Sequence, residues 1–293
     1  MASRMAQSHD EGYCTGALQP AADGPAGNAR SRYSQGMPVW DPVRYLQFAD
    51  HRSRPFEDLI AQVPTMPATI VDLGCGPGHL TRHLRMHWPD ARILGIDSSA
   101  EMIDRAFRGN TDARTNFDVA DVATWTPTEP VDLMVSNAMF QWVPDQFAVI
   151  DRLLGWLTDG GVFAVQVPNN AASPTHQLLA DLATEPRFAT YLSDVRRLPT
   201  TGPQEYLEFF IERGFHVNAW ETTYLHVLDG DDPVFDWMRG TGARPYLQAL
   251  PDDIRSEFAA ELARRLREAY PRRSWGTELP FRRTFAVAAP RDR

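Results

Sequence analysis

The segment at residues 71–78, VDLGCGPG, places three glycines and an acid where a ligand could meet bare backbone. Glycine tolerates positive φ and has no Cβ, so Gly74, Gly76 and Gly78 permit a tight bend against which a ligand can press. A helix that begins just after the bend would point amide donors at the same place. The carboxylate of Asp72 could receive a cationic group of the ligand. These residue types at this spacing predict a site for a nucleotide or nucleoside.

A second acid completes this pattern. Asp97 stands 19 residues after Gly78, at the end of a short apolar run. An acid at that distance typically meets the two hydroxyls of a ribose. The next residues predict a helix start, with Ser98 or Ser99 as N-cap and an acid in the first turn. We place Ser98 and Met102 in the same predicted cofactor site.

Strands and helices alternate around these residues. Apolar runs predict strands at 68–73, 92–97, 116–119, 131–136 and 161–167, and helical spacing predicts helices at 80–88, from 98 onward and at 147–157. Such alternation indicates βαβ units, hence a parallel sheet buried on both faces. The crevice for the cofactor is then expected at the carboxyl ends of the strands.

The regular alternation of strands and helices ends after the fifth predicted strand. Helical spacing recurs at 174–183, 204–213, 232–239 and 253–269, with a β-rich stretch at 214–228 and a last strand at 281–288. Residues 169–200 and 229–280 are longer than simple connections require, so we interpret them as insertions that form a helical cap. Residues 1–36 are rich in Ala, Gly, Ser and Pro and are predicted to be a disordered extension. One domain is expected over 37–293.

Composition narrows the functional classes. The 293 residues carry 29 cations and 38 anions, a formal charge of −9, and every cation is arginine. An acidic chain is a poor candidate for binding a phosphate backbone, so a nucleic-acid partner is not expected. The two cysteines, Cys14 and Cys75, favour a cytoplasmic location, and no cysteine or histidine spacing suggests a metal site. No apolar run approaches the ~18 residues of a membrane span, and no secretory signal precedes the domain.

The glycine spacing is G-x-G-x-G, and it resembles motif I of the class I methyltransferases that use S-adenosylmethionine (AdoMet). A dinucleotide fingerprint would need a third glycine at position 79, which is His79. A nicotinamide-dependent oxidoreductase remains an alternative, because the glycines and Asp97 allow it. The resemblance implies the Rossmann-like fold of that superfamily, with a mostly parallel seven-stranded sheet, helices on both faces and AdoMet as cofactor without a metal.

Further positions match the same superfamily. Asp121 and Val122 follow the third predicted strand, where the family's acid meets the adenine amino group. Asn137, Gln141 and Trp142 follow the fourth strand, in the loop that closes around the methionyl part and the adenine. An ordinary loop cap is the alternative role of Asn137, and core packing is that of Trp142.

Segments outside motif I are more specific. Those that resemble the trans-aconitate 2-methyltransferases are WDPVRYLQF at 40–48, RSRP at 52–55, AVQVPNN at 164–170, PTH at 174–176, WETTYLH at 220–226, DWMRGTG at 236–242, RPY at 244–246 and PFRRTF at 280–285. The resemblance covers nearly all of residues 39–290. It implies methylation of one carboxylate of trans-aconitate, which gives a monomethyl ester and S-adenosylhomocysteine.

The chemistry implied by this resemblance needs no general base. A carboxylate is already ionised at pH 7, because its reference pKa is about 4. Catalysis is then mostly positioning and desolvation for an in-line displacement, so we assign no catalytic residue. A tricarboxylate must be held by cations, and arginine forks bind carboxylates in a bidentate manner.

We therefore expect arginines and aromatic side chains around the substrate. Arg52, Arg54 and Arg244 are the favoured carboxylate ligands, with weaker candidates at Arg196, Arg197, Arg282 and Arg283. Three arginines of the last amphipathic helix are predicted to lie on the surface, namely Arg264, Arg265 and Arg267. The other predicted substrate residues are Trp40, Tyr45, His176, Tyr224, Trp237 and Tyr246, for each of which ordinary packing is the alternative.

Two further classes stay open at this stage. A methyltransferase of the same fold could act on another small or carrier-bound carboxylic acid. A nucleic-acid methyltransferase is disfavoured by the net charge of −9. The sequence does not determine the oligomeric state.

Overall fold

A computed structural model describes residues 49–195 and 200–291, and of residues 49–52 it describes the backbone only. Several predictions therefore lie outside the described residues: those on the extension 1–36, on Trp40 and Tyr45, and on Arg196 and Arg197. The side chain of Arg52 is likewise not described.

Seven strands form one sheet in the order β3-β2-β1-β4-β5-β7-β6. Strands β1 to β5 run parallel, and β7 is antiparallel to both β5 and β6. The strands are β1 (Thr69–Leu73), β2 (Arg92–Asp97), β3 (Thr115–Val119), β4 (Val131–Asn137), β5 (Leu157–Pro168), β6 (Phe215–Leu228) and β7 (Thr277–Pro290). The predicted fold class, a mostly parallel seven-stranded Rossmann-like sheet, is confirmed.

Helices cover both faces of this sheet and continue beyond its carboxyl edge. Among the described residues they are α1 (Ala49–Ile60), α2 (Thr81–His87), α3 (Ala100–Arg108), α4 (Gln146–Leu154), α5 (Pro174–Ala183), α6 (Pro186–Leu192), α7 (Pro203–Glu212), α8 (Pro233–Arg239), α9 (Arg244–Ala249) and α10 (Asp252–Ala269), with a 3-10 turn at Phe140–Trp142. The predicted helix 174–183 is found with the same bounds. The spacing had given no indication of α6 or α9.

Two predicted boundaries were wrong. The last strand, expected at 281–288, already begins at Thr277, within the predicted insertion 229–280. The other boundary lies between the predicted helix 147–157 and the fifth strand. The expected helix 147–157 ends at Leu154, and β5 starts at Leu157, four residues before its predicted start at Gly161. Gly155 stands at the helix C-terminus, and the Trp156 carbonyl already accepts from the amide of Val131 in β4. Pairing with the neighbouring strand therefore decides this boundary, whereas the apolar residues by themselves continued the helical spacing.

Two apolar cores sandwich the sheet. On one face, α1 and α2 pack Phe56 and Leu84 against the strands, in a cluster that also contains Val135 and Ala164. On the opposite face, α4 and α7 bury residues such as Phe210. Because side chains alternate along a strand, each strand residue can be assigned to one of these two faces.

The cap packs on the far ends of β6 and β7. β5 stops at Pro168, which is paired with Arg283, so residues 277–282 of β7 and their partners in β6 project past its end. Helices from both long insertions bury a third cluster against this projection, with Phe281 of β7 among its members. The cap is thus attached at the edge of the sheet where the parallel strands end.

No helix among the described residues is long and apolar enough to cross a membrane.

Candidate functional site

The glycine-rich segment forms a bend between β1 and α2. Gly74, Gly76 and Gly78 all have positive φ, at 76°, 56° and 74°. The amide of Gly74 donates to the carbonyl of Ile96 at 2.8 Å, which fixes the start of the bend to β2. A Cβ on Gly76 would meet no atom within 4 Å, so the bend is open at that point. The predicted bare backbone is therefore present and accessible.

Asp97 at the end of β2 organises the wall opposite the bend. Its two carboxylate oxygens accept from the amides of Gly76 at 3.0 Å and Ser99 at 2.9 Å. Burial raises the pKa of this carboxyl above its usual range, against the lowering effect of those two hydrogen bonds. Ser99, not Ser98, is the N-cap of α3, and its hydroxyl accepts from the amide of Met102.

A cleft of about 870 Å³, including its open mouth, lies between the bend, Asp97 and the ends of β3 and β4. Nine of the predicted cofactor residues line it: Gly74, Gly76, Asp97, Ser98, Met102, Asp121, Val122, Asn137 and Trp142. Asp121 is fixed there because its carboxylate accepts from the amide of Ala123 at 2.9 Å. The structure thus brings together residues from four separate strand ends, as the topology predicted.

Three predicted cofactor residues do not line this cleft. At Gly78 the bend packs closely against α3 and β3, since a Cβ there would lie 2.9 Å from Phe117 and 3.0 Å from Ala106. Gln141 is buried in the 3-10 turn, where its amide nitrogen donates to the carbonyl of Ala138 at 2.7 Å. Both residues therefore lie behind the lining of the cleft and support it.

Asp72 is the third of these residues. Its carboxylate is buried beneath the bend and accepts from the hydroxyl of Thr81 at 2.7 Å. Burial raises its pKa to about 7, with a further rise from the nearby charge of Asp97. The position of Asp72 fits an acid that holds α2 against the bend, because Thr81 is the first residue of that helix.

The loop after β4 supplies wall residues that the sequence had not singled out. Ala138 adopts a positive φ of 56°, and Met139 fills the space that a side chain on Gly74 would need, 2.4 Å from the position of its Cβ. Ala138 and Met139 both line the cleft. The predicted residues of this loop, Asn137, Gln141 and Trp142, are polar or aromatic. Ala138 and Met139 contribute instead a close approach of the loop to the glycine bend.

This cleft fits the nucleoside cofactor implied by the fold. Gly76 leaves an uncovered stretch of backbone, and Asp97 and Asp121 line the cleft with carboxylates that can accept hydrogen bonds from hydroxyl or amino groups. The side-chain oxygen of Asn137 is buried and accepts no hydrogen bond within the described residues. An acceptor held in that way is suited to the amino group of the cofactor's methionyl part.

The predicted substrate residues divide into two groups. Arg54 and Tyr224 come together where α1 meets β6: the Tyr224 hydroxyl donates to the Asp58 carboxylate at 2.6 Å, and the guanidinium carbon of Arg54 lies 5.3 Å from the centre of the Tyr224 ring. Tyr224 is buried, and burial raises its pKa well above the usual range. Arg54 is mostly exposed and lies 3.9 Å from Asp58.

The second group belongs to the cap. Trp237 is fully buried between His226 and Phe281, with ring centres 4.9 and 5.3 Å away, so packing accounts for it. Tyr246 is also buried in this cluster, and Arg244 begins α9.

His176 belongs to the cap as well. Its Nδ1 contacts the hydroxyls of Ser173 and Thr175 at 3.3 and 3.0 Å, and a Cβ on Gly242 would lie 3.1 Å from its Nε2. Burial lowers the pKa of His176 to about 4, so the ring is neutral near pH 7. The ring therefore packs helix α5 against the turn before α9.

Arg283, one of the weaker candidates from the sequence, is the most buried arginine within the described ranges. Arg283 is 3% exposed, donates to the side-chain oxygen of Gln166 at 3.0 Å, and lies over the Phe281 ring at 4.9 Å. Its neighbour Arg282 is 3.5 Å from the Glu221 carboxylate. The alternation of β7 separates these two adjacent arginines, and only pairing with β5 shows which one points inward.

The three arginines predicted to be on the surface make ion pairs there. Their partners are Glu261 and Glu268 for Arg264, Glu261 and Glu185 for Arg265, and Asp232 for Arg267. Across the described ranges, no group of three or more His, Cys, Asp or Glu side chains is arranged to hold a metal ion.

Comparisons with known proteins agree with this geometry. Residues 48–218 match the family model described as a methyltransferase domain. The trans-aconitate 2-methyltransferase of Streptomyces avermitilis is 49% identical over 264 residues, which is 86% of this chain and 97% of that protein. The protein of the same name from Streptomyces coelicolor is 46% identical over 86% of each chain.

A solved structure agrees on the fold. The YcgJ protein of Bacillus subtilis superposes with a TM-score of 0.54 at 12% identity, over 83% of this chain and all of that one. A similarity at this level of identity supports the architecture, while the sequence relatives carry the family assignment. This chain therefore belongs to the trans-aconitate 2-methyltransferase family of methyltransferases.

Proposed function

We propose that this protein transfers the methyl group of AdoMet to one carboxylate of trans-aconitate, giving the monomethyl ester and S-adenosylhomocysteine. The observation that carries the proposal is a relative named for this activity at 49% identity over 97% of its length. The open glycine bend, with Asp97 and Asp121 at its rim, is the site for the nucleoside. The cellular location that we infer, from two cysteines in the whole chain, is the cytoplasm.

The bound cofactor supplies an electrophilic methyl group on a positively charged sulfur. The chain binds and orients it: the Gly76 backbone and Asp97 hold the nucleoside end, and the Asn137 side chain faces the methionyl end. Met139 and Trp142 line the cleft and give it apolar wall surface. No residue has to move a proton, because the accepting carboxylate is ionised at neutral pH. Catalysis then comes from holding the two reactants in line.

Arginines are the natural ligands for the two carboxylates that do not react. We infer that Arg52, Arg54 and Arg244 contribute, as the sequence predicted. Helix α1 contacts Tyr224 of β6 through Asp58, and α9 contributes Tyr246 to the cluster that contains Phe281 of β7. Substitution of Arg244 or Arg52 by Ala should raise KM for the acid and leave cofactor binding nearly intact. Equal loss of both ligands would instead indicate a folding defect.

The direct test is product analysis. Wild-type protein is incubated with methyl-labelled AdoMet and trans-aconitate, and we expect a base-labile methyl ester with the mass of the monomethyl product. cis-Aconitate, isocitrate and unrelated acids are run in parallel as competitors. Turnover of trans-aconitate no faster than that of unrelated acids would overturn the assignment and favour another carboxylic acid as substrate.

A further inference from the structure

A row of polar side chains crosses the carboxyl edge of the sheet on the α1 face. Asn137 of β4 pairs with Gln166 of β5, and the neighbouring strand β7 contributes Arg283 to the same face. Side chains two positions apart on a strand point to the same face. Val135, Ala164 and Phe285, each two positions from a row residue, belong to one core cluster on that side, which confirms that the three row residues share a face. The row begins at the cofactor cleft, which Asn137 lines, and continues toward the cap.

Gln166 is the centre of this row, and its orientation is fixed by Arg283. A guanidinium can only donate, so the side-chain oxygen of Gln166 must be the atom that faces Arg283, at 3.0 Å. The amide is planar, and its nitrogen is therefore turned away from the arginine. The assignment of oxygen and nitrogen thus follows from the partner's chemistry.

The nitrogen of that amide has no hydrogen-bond partner within the described part of the chain, although the residue is 0% exposed. Leaving a buried donor unsatisfied is energetically costly, so such a group points to a further hydrogen-bond partner. Its apolar neighbours, Phe285 and Ala164, offer no side-chain acceptor, and the side-chain oxygen of Asn137 on the paired strand is not hydrogen-bonded to it in this structure. The polar end of the row, toward Asn137 and the cleft, is the direction in which an acceptor can be placed.

We propose that the side-chain nitrogen of Gln166 donates to a carboxylate of the substrate, with Arg283 as the residue that positions it. This inference rests on the proposed function and names one group that recognises the acid beside the cofactor. Neighbouring strands are about 4.8 Å apart, so Gln166 lies one strand away from the cleft wall at Asn137.

The chain offers a matched control in a second buried glutamine. In Gln146 both side-chain atoms are satisfied: the oxygen accepts from the Tyr206 hydroxyl at 2.6 Å, and the nitrogen donates to the Thr201 hydroxyl at 2.8 Å. It lies in α4, on the opposite face of the sheet. Methionine preserves the length of either side chain and removes its hydrogen bonds.

The test compares Gln166→Met, Gln166→Glu and Gln146→Met with the wild type. For Gln166→Met we expect KM for trans-aconitate, and its Kd measured calorimetrically with S-adenosylhomocysteine bound, to rise about 10- to 100-fold. The Kd of S-adenosylhomocysteine should stay within about twofold. Gln166→Glu places a carboxylate against the substrate's and should weaken binding of the acid further. Gln146→Met should lower Tm and leave KM unchanged.

Each result decides a different point. A Gln166→Met protein with wild-type KM overturns this inference, as does one that loses cofactor affinity as strongly as affinity for the acid. Were Gln166→Met to fail to fold, the isosteric Gln166→Glu variant would decide by the same two constants. A wild type that neither binds nor methylates trans-aconitate overturns the proposed function, and this inference falls with it.

Discussion

The cofactor cleft and the polar row lie at the same edge of one sheet, yet they are built in different ways. In the cleft, the defining contacts are short in sequence and use the backbone: Asp97 holds the Gly76 amide 21 positions away and the Ser99 amide two positions away. In the row, side chains meet over a long separation, 117 positions for Gln166 with Arg283. The neighbouring contact of Asp58 in α1 with Tyr224 in β6 spans 166 positions.

This difference matters for specificity. A backbone cradle with a few fixed acids suits one cofactor whatever the second substrate is. The row joins the ends of β4, β5 and β7, and the cap is built from the two long insertions after β5. We therefore expect side-chain changes there to alter the acid that is accepted without disturbing the cradle. The following four substitutions break or sharpen this separation, from the largest expected effect to the smallest.

The largest effect is expected for Asp97→Ala. The carboxylate anchors two backbone amides and faces the cleft. Its removal should weaken binding of S-adenosylhomocysteine by roughly 1,000-fold, which is the loss expected for two charge-assisted hydrogen bonds to the ribose hydroxyls. Calorimetric titration measures this loss. If the cleft and the row are separate, Gln166→Met should not show it. Tight cofactor binding by Asp97→Ala would contradict the placement of the nucleoside.

The next largest effect is a pH-dependent change in stability caused by His176 in the cap. The pKa of His176 is lowered from 6.5 to about 4, so the unfolded chain binds a proton at higher pH than the folded one. Stability from this group is therefore full above about pH 6.5 and is lost as the pH falls toward 4, by about 3 kcal/mol. His176→Asn retains an acceptor for the Ser173 and Thr175 hydroxyls and cannot be protonated.

Urea unfolding at pH 7 and pH 4 checks this prediction. The variant should gain about 3 kcal/mol relative to the wild type between the two pH values. A constant difference would show that the ring is protonated equally in both states. Cofactor affinity at pH 7 is expected to be the same in both proteins, because His176 belongs to the cap.

A smaller effect on stability is expected for Gly74→Ala. Alanine at φ 76° is strained, and its Cβ would lie 2.4 Å from Met139, so we expect a loss of about 2 kcal/mol in the free energy of unfolding and weaker cofactor binding. Gly160→Ala is the control, since a Cβ there meets nothing within 4 Å and φ is not positive. Equal stability of the two variants would contradict the close approach of the loops.

The smallest effect is expected for Arg54→Ala. The side chain is mostly exposed and its ion pair with Asp58, at 3.9 Å, is screened by solvent, so stability should change by less than about 1 kcal/mol. If Arg54 also attracts the acid, KM should rise about threefold at low salt and less at high salt. An unchanged KM at both salt concentrations would remove Arg54 from the substrate residues.

The sequence predicted the sheet and the cleft well because both depend on local signals. A buried strand, a glycine bend and an acid after the next strand are read within 30 residues, and parallel topology then brings their ends together. The helix boundary at Leu154 and the helices α6 and α9 were not predicted. Their limits are set by contacts with the neighbouring strand and with the cap.

The substrate side was predicted less completely. Arg282 and Arg283 are the same residue type and are adjacent in sequence. Arg282 forms an ion pair with Glu221, whereas Arg283 is buried beside Gln166. Gln166 lay inside a recognised segment and had no assigned role, because a glutamine in a buried strand gives no signal of its own. Its unsatisfied nitrogen is visible only once every neighbour is in place.

The sequence by itself determined the family, the fold and the open glycine bend, since these follow from residue types whose backbone preferences and spacing act locally. Only the tertiary structure decided which polar groups share one face at the edge of the sheet beside the cleft. Strand register and the antiparallel return of β7 choose the inward residue of each pair, and burial then determines whether that residue has a partner.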